Sequence, residues 1–115
     1  MEKRRLIDKP WGYEEIWAET SNYVSKIIFI RRGHRLSLQL HSKKEETIRV
    51  VSGVLTLVYG GNDSLQERVM FENDFFHIAP GLVHRFCANY GDVMIMEVST
   101  PGDDDVFRIE DDYGR

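Results

Sequence analysis

Short runs of β-branched, aromatic and aliphatic residues recur along the chain, broken by Gly, Asn and Asp, and within several runs apolar and polar positions alternate. That rhythm marks strands and tight turns. It predicts strands over residues 13–18, 23–31, 36–42, 47–52, 55–59, 67–71, 75–79, 84–88 and 93–99. Turns are expected at Arg32-Gly33, Gly60-Gly61-Asn62-Asp63, Asn73-Asp74, Pro80-Gly81 and Asn89-Tyr90-Gly91-Asp92. No segment sustains a helical period. A small all-β chain with many short strands must resolve its open edges, and sandwiching or closing the sheets into a barrel is the usual solution.

Composition narrows the class. The 115 residues, 42% hydrophobic and 30% charged, suit one domain with one core over 1–115. Fifteen Lys and Arg against nineteen Asp and Glu leave a formal charge of -4, and the basic run Lys3-Arg4-Arg5 is short, so no nucleic-acid partner is expected. The lone Cys87 has no intramolecular disulfide partner, the N-terminus lacks a signal-like apolar stretch, and the longest apolar run, Val93 to Met96, is too short for a bilayer. A cytoplasmic protein without a membrane partner is the expectation.

In Leu36-Ser37-Leu38-Gln39-Leu40-His41 the leucines share one face of a strand, and Ser37, Gln39 and His41 share the other. The polar face is either solvated or lines the lumen of a barrel. Gln39 and His41 point the same way, Glu46 follows a turn-like stretch that returns the chain beside them, and His84 follows the Pro80-Gly81 turn. Two imidazoles, a carboxylate and an amide oxygen suit one divalent ion, zinc foremost, with manganese, iron, cobalt or nickel fitting the same donors. Each histidine alone has a plainer reading as an ordinary surface or core residue.

The spacing from Gly33 through Gln39, His41 and Glu46 to Gly53 resembles the first motif of the cupin family, with glutamine in place of its first histidine. The second motif is looser: Gly81 and His84 match, and Asn73 replaces the leading glycine, a turn position where Asn tolerates the left-handed conformation. Beyond the motifs, Lys9-Pro10-Trp11-Gly12-Tyr13, Val51-Ser52-Gly53, His84-Arg85-Phe86, Glu97-Val98 and the segment from Asp104 to Arg115 make the chain similar to the type II mannose-6-phosphate isomerase domain. The resemblance implies a single-domain cupin, a double-stranded β-helix or jelly-roll barrel. It further implies a metal held by Gln39, His41, Glu46 and His84, and aldose–ketose isomerisation of a phosphorylated sugar. That domain often follows a guanylyltransferase; here it stands alone, and nucleotidyl transfer is not expected. The chain departs from the family at Ser42-Lys43-Lys44-Glu45-Glu46-Thr47-Ile48, where many members carry histidines, an arginine and a tryptophan around the metal glutamate. Lys44 keeps the positive charge of that arginine without its planar fork. The substrate is what this departure leaves open.

Such chemistry needs a base to shuttle a proton, a Lewis acid and a cation for phosphate. Glu97, a carboxylate in the apolar strand Met94-Ile95-Met96-Glu97-Val98, is the candidate base, against a plainer reading as an interior salt bridge. Arg108 is the candidate for enediolate or phosphate charge, against a surface ion pair with Asp103-Asp104-Asp105. Lys44, Arg85 and His77 are candidate substrate contacts, His77 on the expectation that it faces the lumen. His34 falls outside the motifs. Trp11, Trp17, Phe29, Phe75, Phe76 and Phe86 read as core or dimer surface, Cys87 as an inert apolar residue, and the acidic tail as a solvated face folded back over the barrel. A homodimer is expected, with the N-terminal strand near Trp11 and Trp17 adding to a partner. Two other classes remain open, a cupin dioxygenase and a non-catalytic sugar-binding cupin.

Overall fold

A computed structural model describes residues 5–61, 63–102 and 105–114. Lys3 and Arg4 of the basic run, Asn62 of its turn, Asp103 and Asp104 of the acidic run, and Arg115 lie outside the described residues. The strands are β1 (Arg5–Lys9), β2 (Gly12–Glu19), β3 (Val24–Ile30), β4 (Leu38–His41), β5 (Glu46–Ser52), β6 (Leu55–Gly61), β7 (Ser64–Met70), β8 (Phe75–Ile78), β9 (Val83–Cys87), β10 (Val93–Ser99) and β11 (Val106–Glu110). They form two antiparallel sheets, ordered β1-β2-β3-β10-β5-β8 and β11-β4-β9-β6-β7. The sheets face one another across a shared core, the jelly-roll barrel expected from the sequence.

Every strand read from the sequence is present, 93–99 with the expected ends and the others with shifted ones, and two more appear. β1 and β11 are each first in their sheet's order and largely exposed, so no alternation between core and solvent marks them in the sequence. The acidic tail does fold back, as β11 hydrogen-bonded along β4, with Arg108 opposite Gln39.

The lumen is layered from one end to the other. Cross-strand pairing sets Ile30 beside Val93, then Ile28 beside Ile95 with Val50 on its other side, and then Lys26 beside Glu97 with Ile48 on its other side. The inward residues of β3 and β10 thus change from apolar to charged together, and β5 follows one layer later at Glu46, opposite Ser99. Trp11, Leu55, Leu57, Met70, Ile78 and Phe86 complete the apolar part. Its close packing closes that end of the barrel, and the lumen stays polar at the other.

Turn chemistry holds the layers in register. Gly53 sits at φ 84°, where a Cβ would come within 2.3 Å of the Asp92 carbonyl oxygen, so only glycine fits between β5 and β6. Asn73 takes φ 74° at the turn before β8, the left-handed role the sequence assigns to it.

Candidate metal centre and its cavity

β4 and β9 from one sheet and β5 from the other deliver the site. His41, Glu46 and His84 are buried, and their ligand atoms all lie within 4.8 Å of one another. Gln39 pairs directly with His84 across β4 and β9. Its Oε1 accepts from Ser37 Oγ at 2.6 Å, and its Nε2 is 3.5 Å from His41 Nε2, so the amide stands beside the three-residue cluster.

The His84 ring is fixed by Nδ1–H donating to the Leu82 carbonyl at 2.9 Å, which turns Nε2 toward Glu46 Oε1 at 3.1 Å. Burial lowers the His41 imidazole to about 4, leaving it neutral with a lone pair to offer at physiological pH. For Glu46, burial acts upward, but contact with His84 and the Lys44 charge outweigh it and hold the carboxyl well below the usual range. His41 Nδ1, His84 Nε2 and Glu46 Oε2 are buried without hydrogen-bond partners. Two buried imidazoles and a carboxylate brought this close, with only the Lys44 ammonium 3.4 Å from Glu46 Oε2 to offset the charge, leave coordinating capacity that a cation would satisfy. The residues therefore fit a divalent ion.

A chain of charges runs from this cluster through the lumen. Lys44 Nζ is 3.4 Å from Glu46 Oε2 and 3.5 Å from Glu97 Oε2. Lys26 Nζ lies 3.7 Å from Glu97 Oε2 and 3.6 Å from Glu14 Oε1. Burial pushes the Glu97 carboxyl up, the Glu46 charge adds to this, and the two lysines oppose without reversing it. Lys44 owes its place to Asp105, which accepts from Ser42 Oγ and from the amides of Lys43 at 2.7 Å and Lys44 at 3.0 Å. The loop is tied again where Glu45 N donates to Thr100 Oγ1 at 3.0 Å.

These groups line a cavity of about 170 Å³, room for roughly six water molecules. Of the sequence candidates, Gln39, His41, Lys44, Glu46, Glu97 and Arg108 reach it. Arg85 does not: it points to the far side of β9, donating from Nε to the Leu36 carbonyl at 2.8 Å and from Nη1 to Glu110 Oε1 at 3.0 Å. The expectation for His77 is corrected too. Phe76 and Ile78 take the inward positions of β8, so His77 is exposed and sits 2.6 Å from Glu45 Oε2. Sequence reading missed Lys9, Glu14 and Lys26 in the cavity wall. Lys26 carried a usable signal: a lysine in phase with Ile28 and Ile30 is a charge at a core position.

Two antiparallel sheets enclosing a His/Glu/His cluster in a common lumen define a cupin. The chain belongs to the mannose-6-phosphate isomerase C-terminal family, whose model matches residues 1–111. It is 32% identical over 116 residues to the xanthan biosynthesis protein XanB of Xanthomonas campestris pv. campestris (strain B100), covering 96% of this chain and 24% of that one. To the alginate biosynthesis protein AlgA of Pseudomonas aeruginosa it is 35% identical over 114 residues, covering 95% of this chain and 23% of that protein. The chain thus spans about a quarter of the length of these curated relatives. Among solved structures, the capsular polysaccharide assembling protein CapF of Staphylococcus aureus superposes with a TM-score of 0.83 at 16% identity, covering 96% of this chain and 35% of that one. KdgF from Halomonas sp. superposes with a TM-score of 0.76 at 20% identity, covering 88% and 91%. At those identities the likeness speaks to the fold alone.

Proposed function

We propose that this domain is a metal-dependent aldose–ketose isomerase of a phosphorylated sugar, with mannose 6-phosphate the first substrate to test. The observation that carries the reading is the position of Glu97, a buried carboxylate in the wall of the same cavity as the ligand cluster. Family membership supports it.

His41, Glu46 and His84, with Gln39 beside them, would hold the divalent ion, zinc foremost. The ion supplies Lewis-acid polarisation of the sugar's carbonyl oxygen. Glu97 takes the proton from C2, the C–H electron pair becomes the C1–C2 double bond of an enediol, and O1 gains a proton. Glu97 then returns a proton to C1 while O2 loses its own, leaving the carbonyl at C2. Lys44 and Lys26 hold the Glu97 carboxylate in place, and the packed apolar layers beyond Glu97 keep water from that side.

A second reading draws on the same ion pairs. A carboxylate clamped between two lysines is also what a non-catalytic, metal-dependent sugar-binding cupin would keep in its wall. Proton NMR of mannose 6-phosphate incubated in deuterium oxide with the metal-loaded protein separates the two. Ketose formation with loss of the C2–H signal is expected, and binding without either change leaves the module.

The reading places the domain in the cytoplasm as a homodimer. Among the described residues β1 has an unpaired edge, and Trp17, Met96, Val98 and Phe75 are exposed on the six-stranded sheet. Trp11 takes no part in that surface, because it is buried in the core.

A further inference from the structure

The cavity wall holds four cations, Lys9, Lys26, Lys44 and Arg108, and three carboxylates, Glu14, Glu46 and Glu97. Lys26 and Lys44 are each set between two of those carboxylates. The side chains of Lys9 and Arg108 have neither a hydrogen bond nor an ion pair among the described residues, although both reach the cavity that contains His41 and Glu46. They come from opposite walls: Lys9 ends β1 in one sheet, and Arg108 is the middle residue of β11 in the other. Both strands lie along the solvent-facing rim, Lys9 half-buried and Arg108 exposed. Two residues beyond Lys9, Trp11 lines the same cavity with its indole N–H buried and lacking an acceptor.

We infer that Lys9 and Arg108 form a two-sided clamp across the mouth of the lumen for the phosphate group of the ligand. Two separate cations match the two charges of a phosphate better than the single charge of a carboxylate. A Lys and an Arg whose side chains have no partner among the described residues also raise the local concentration of an anionic ligand at a cavity mouth. With the phosphate held there, the sugar's carbonyl end extends inward toward His41, Glu46 and Glu97. A sugar oxygen supplies the acceptor that the Trp11 N–H lacks. The clamp rests on the sugar-phosphate reading above and adds to it the position of the charged group and the residue Lys9.

Titration calorimetry on the zinc-loaded protein tests this apart from catalysis, using mannose 6-phosphate, mannose and mannuronate. Lys9→Ala and Arg108→Ala are each expected to weaken mannose 6-phosphate about tenfold, the loss of one charge-assisted contact. Mannose binding should not move, zinc content should stay at the wild-type level, and Lys9→Arg should restore most of the affinity. Raising ionic strength should weaken the phosphate ligand and spare mannose. The clamp is overturned if the double variant Lys9→Ala/Arg108→Ala binds mannose 6-phosphate within twofold of wild type. Loss of zinc in the variants, tighter binding of mannuronate than of mannose 6-phosphate, or failure of the wild type to bind any of the phosphate ligand would overturn it as well. Mannose 6-phosphate that binds through the clamp without turning over leaves the clamp standing and removes the isomerase.

Discussion

Glu97 on β10 stands directly across from Lys26 on β3, with Oε2 and Nζ 3.7 Å apart and both residues buried. Removing Lys26 takes one of the two lysines beside Glu97 and the lysine beside Glu14, leaving the interior carboxylates under-compensated. Lys26→Met is therefore expected to destabilise the fold by about 3 kcal/mol, seen as a lower urea midpoint at an unchanged slope. Adding Glu97→Leu in the same chain should recover a large part of that loss, since an apolar pair of similar volume replaces the ion pair. Additive losses in the double variant would show that the two residues do not act as a pair.

Metal analysis checks the ligand cluster. Wild-type protein is expected to carry one divalent ion per chain, and His41→Ala or Glu46→Ala should empty the site while the fold persists. Gln39→Ala should weaken retention without abolishing it, because the other three ligand atoms still converge. Equal occupancy in wild type and His41→Ala would sink the assignment.

His41 and Glu46 were legible in the sequence because glycine, histidine and glutamate fall at fixed distances within one strand–turn–strand unit, and His84 because a glycine turn opens its own strand. Glu97 was legible as a charge in an apolar strand. Arg108 was reached only through the family resemblance of its segment, and Lys9 not at all: both sit on edge strands whose burial pattern carries no period, so pairing across the barrel, and not local pattern, brings them to one cavity. Arg85 and His77 show the converse limit. Their neighbours His84 and Phe76 occupy the inward positions, and strand alternation sends each of the pair outward.

Acid should loosen the C-terminal segment before the core. The carboxyl of Asp105 is held below its ordinary range by the Ser42 hydroxyl and then by the amides of Lys43 and Lys44. That of Asp112 is lowered by its hydrogen bond from Arg35. Folded-state values below the unfolded value of about 3.9 mean that this stability is complete above that pH and is lost as pH falls through the folded values. Urea unfolding should show a stability decline between roughly pH 5 and pH 2, with a shallower slope in Asp105→Asn. An identical acid limb in that variant would remove Asp105 from the account.

The dimer is checked by light scattering at micromolar protein. A mass near twice 13.5 kDa is expected, shifting toward the monomer when Trp17→Glu and Val98→Glu place charge on the exposed outer face. A 13.5 kDa species in the wild type refutes it.

Catalysis turns on whether Glu97 moves a proton or merely completes the charge chain. Glu97→Gln preserves shape and the capacity to accept from a lysine, yet removes the base. Turnover is expected to fall by roughly two to four orders of magnitude, with zinc content and KM nearly unchanged. Arg108→Ala should show the opposite split, a raised KM with a smaller change in kcat, since it grips a group that does not react. Arg108→Lys should recover only part, because the guanidinium fork is gone while the charge remains. Solvent deuterium adds a readout that a structural role cannot mimic: a proton passed through a side-chain carboxylate exchanges with water, so C2–H is lost from recovered substrate in the wild type and kept in Glu97→Gln. Retention of that hydrogen during wild-type turnover would mean a direct hydride shift and would leave Glu97 as part of the wall.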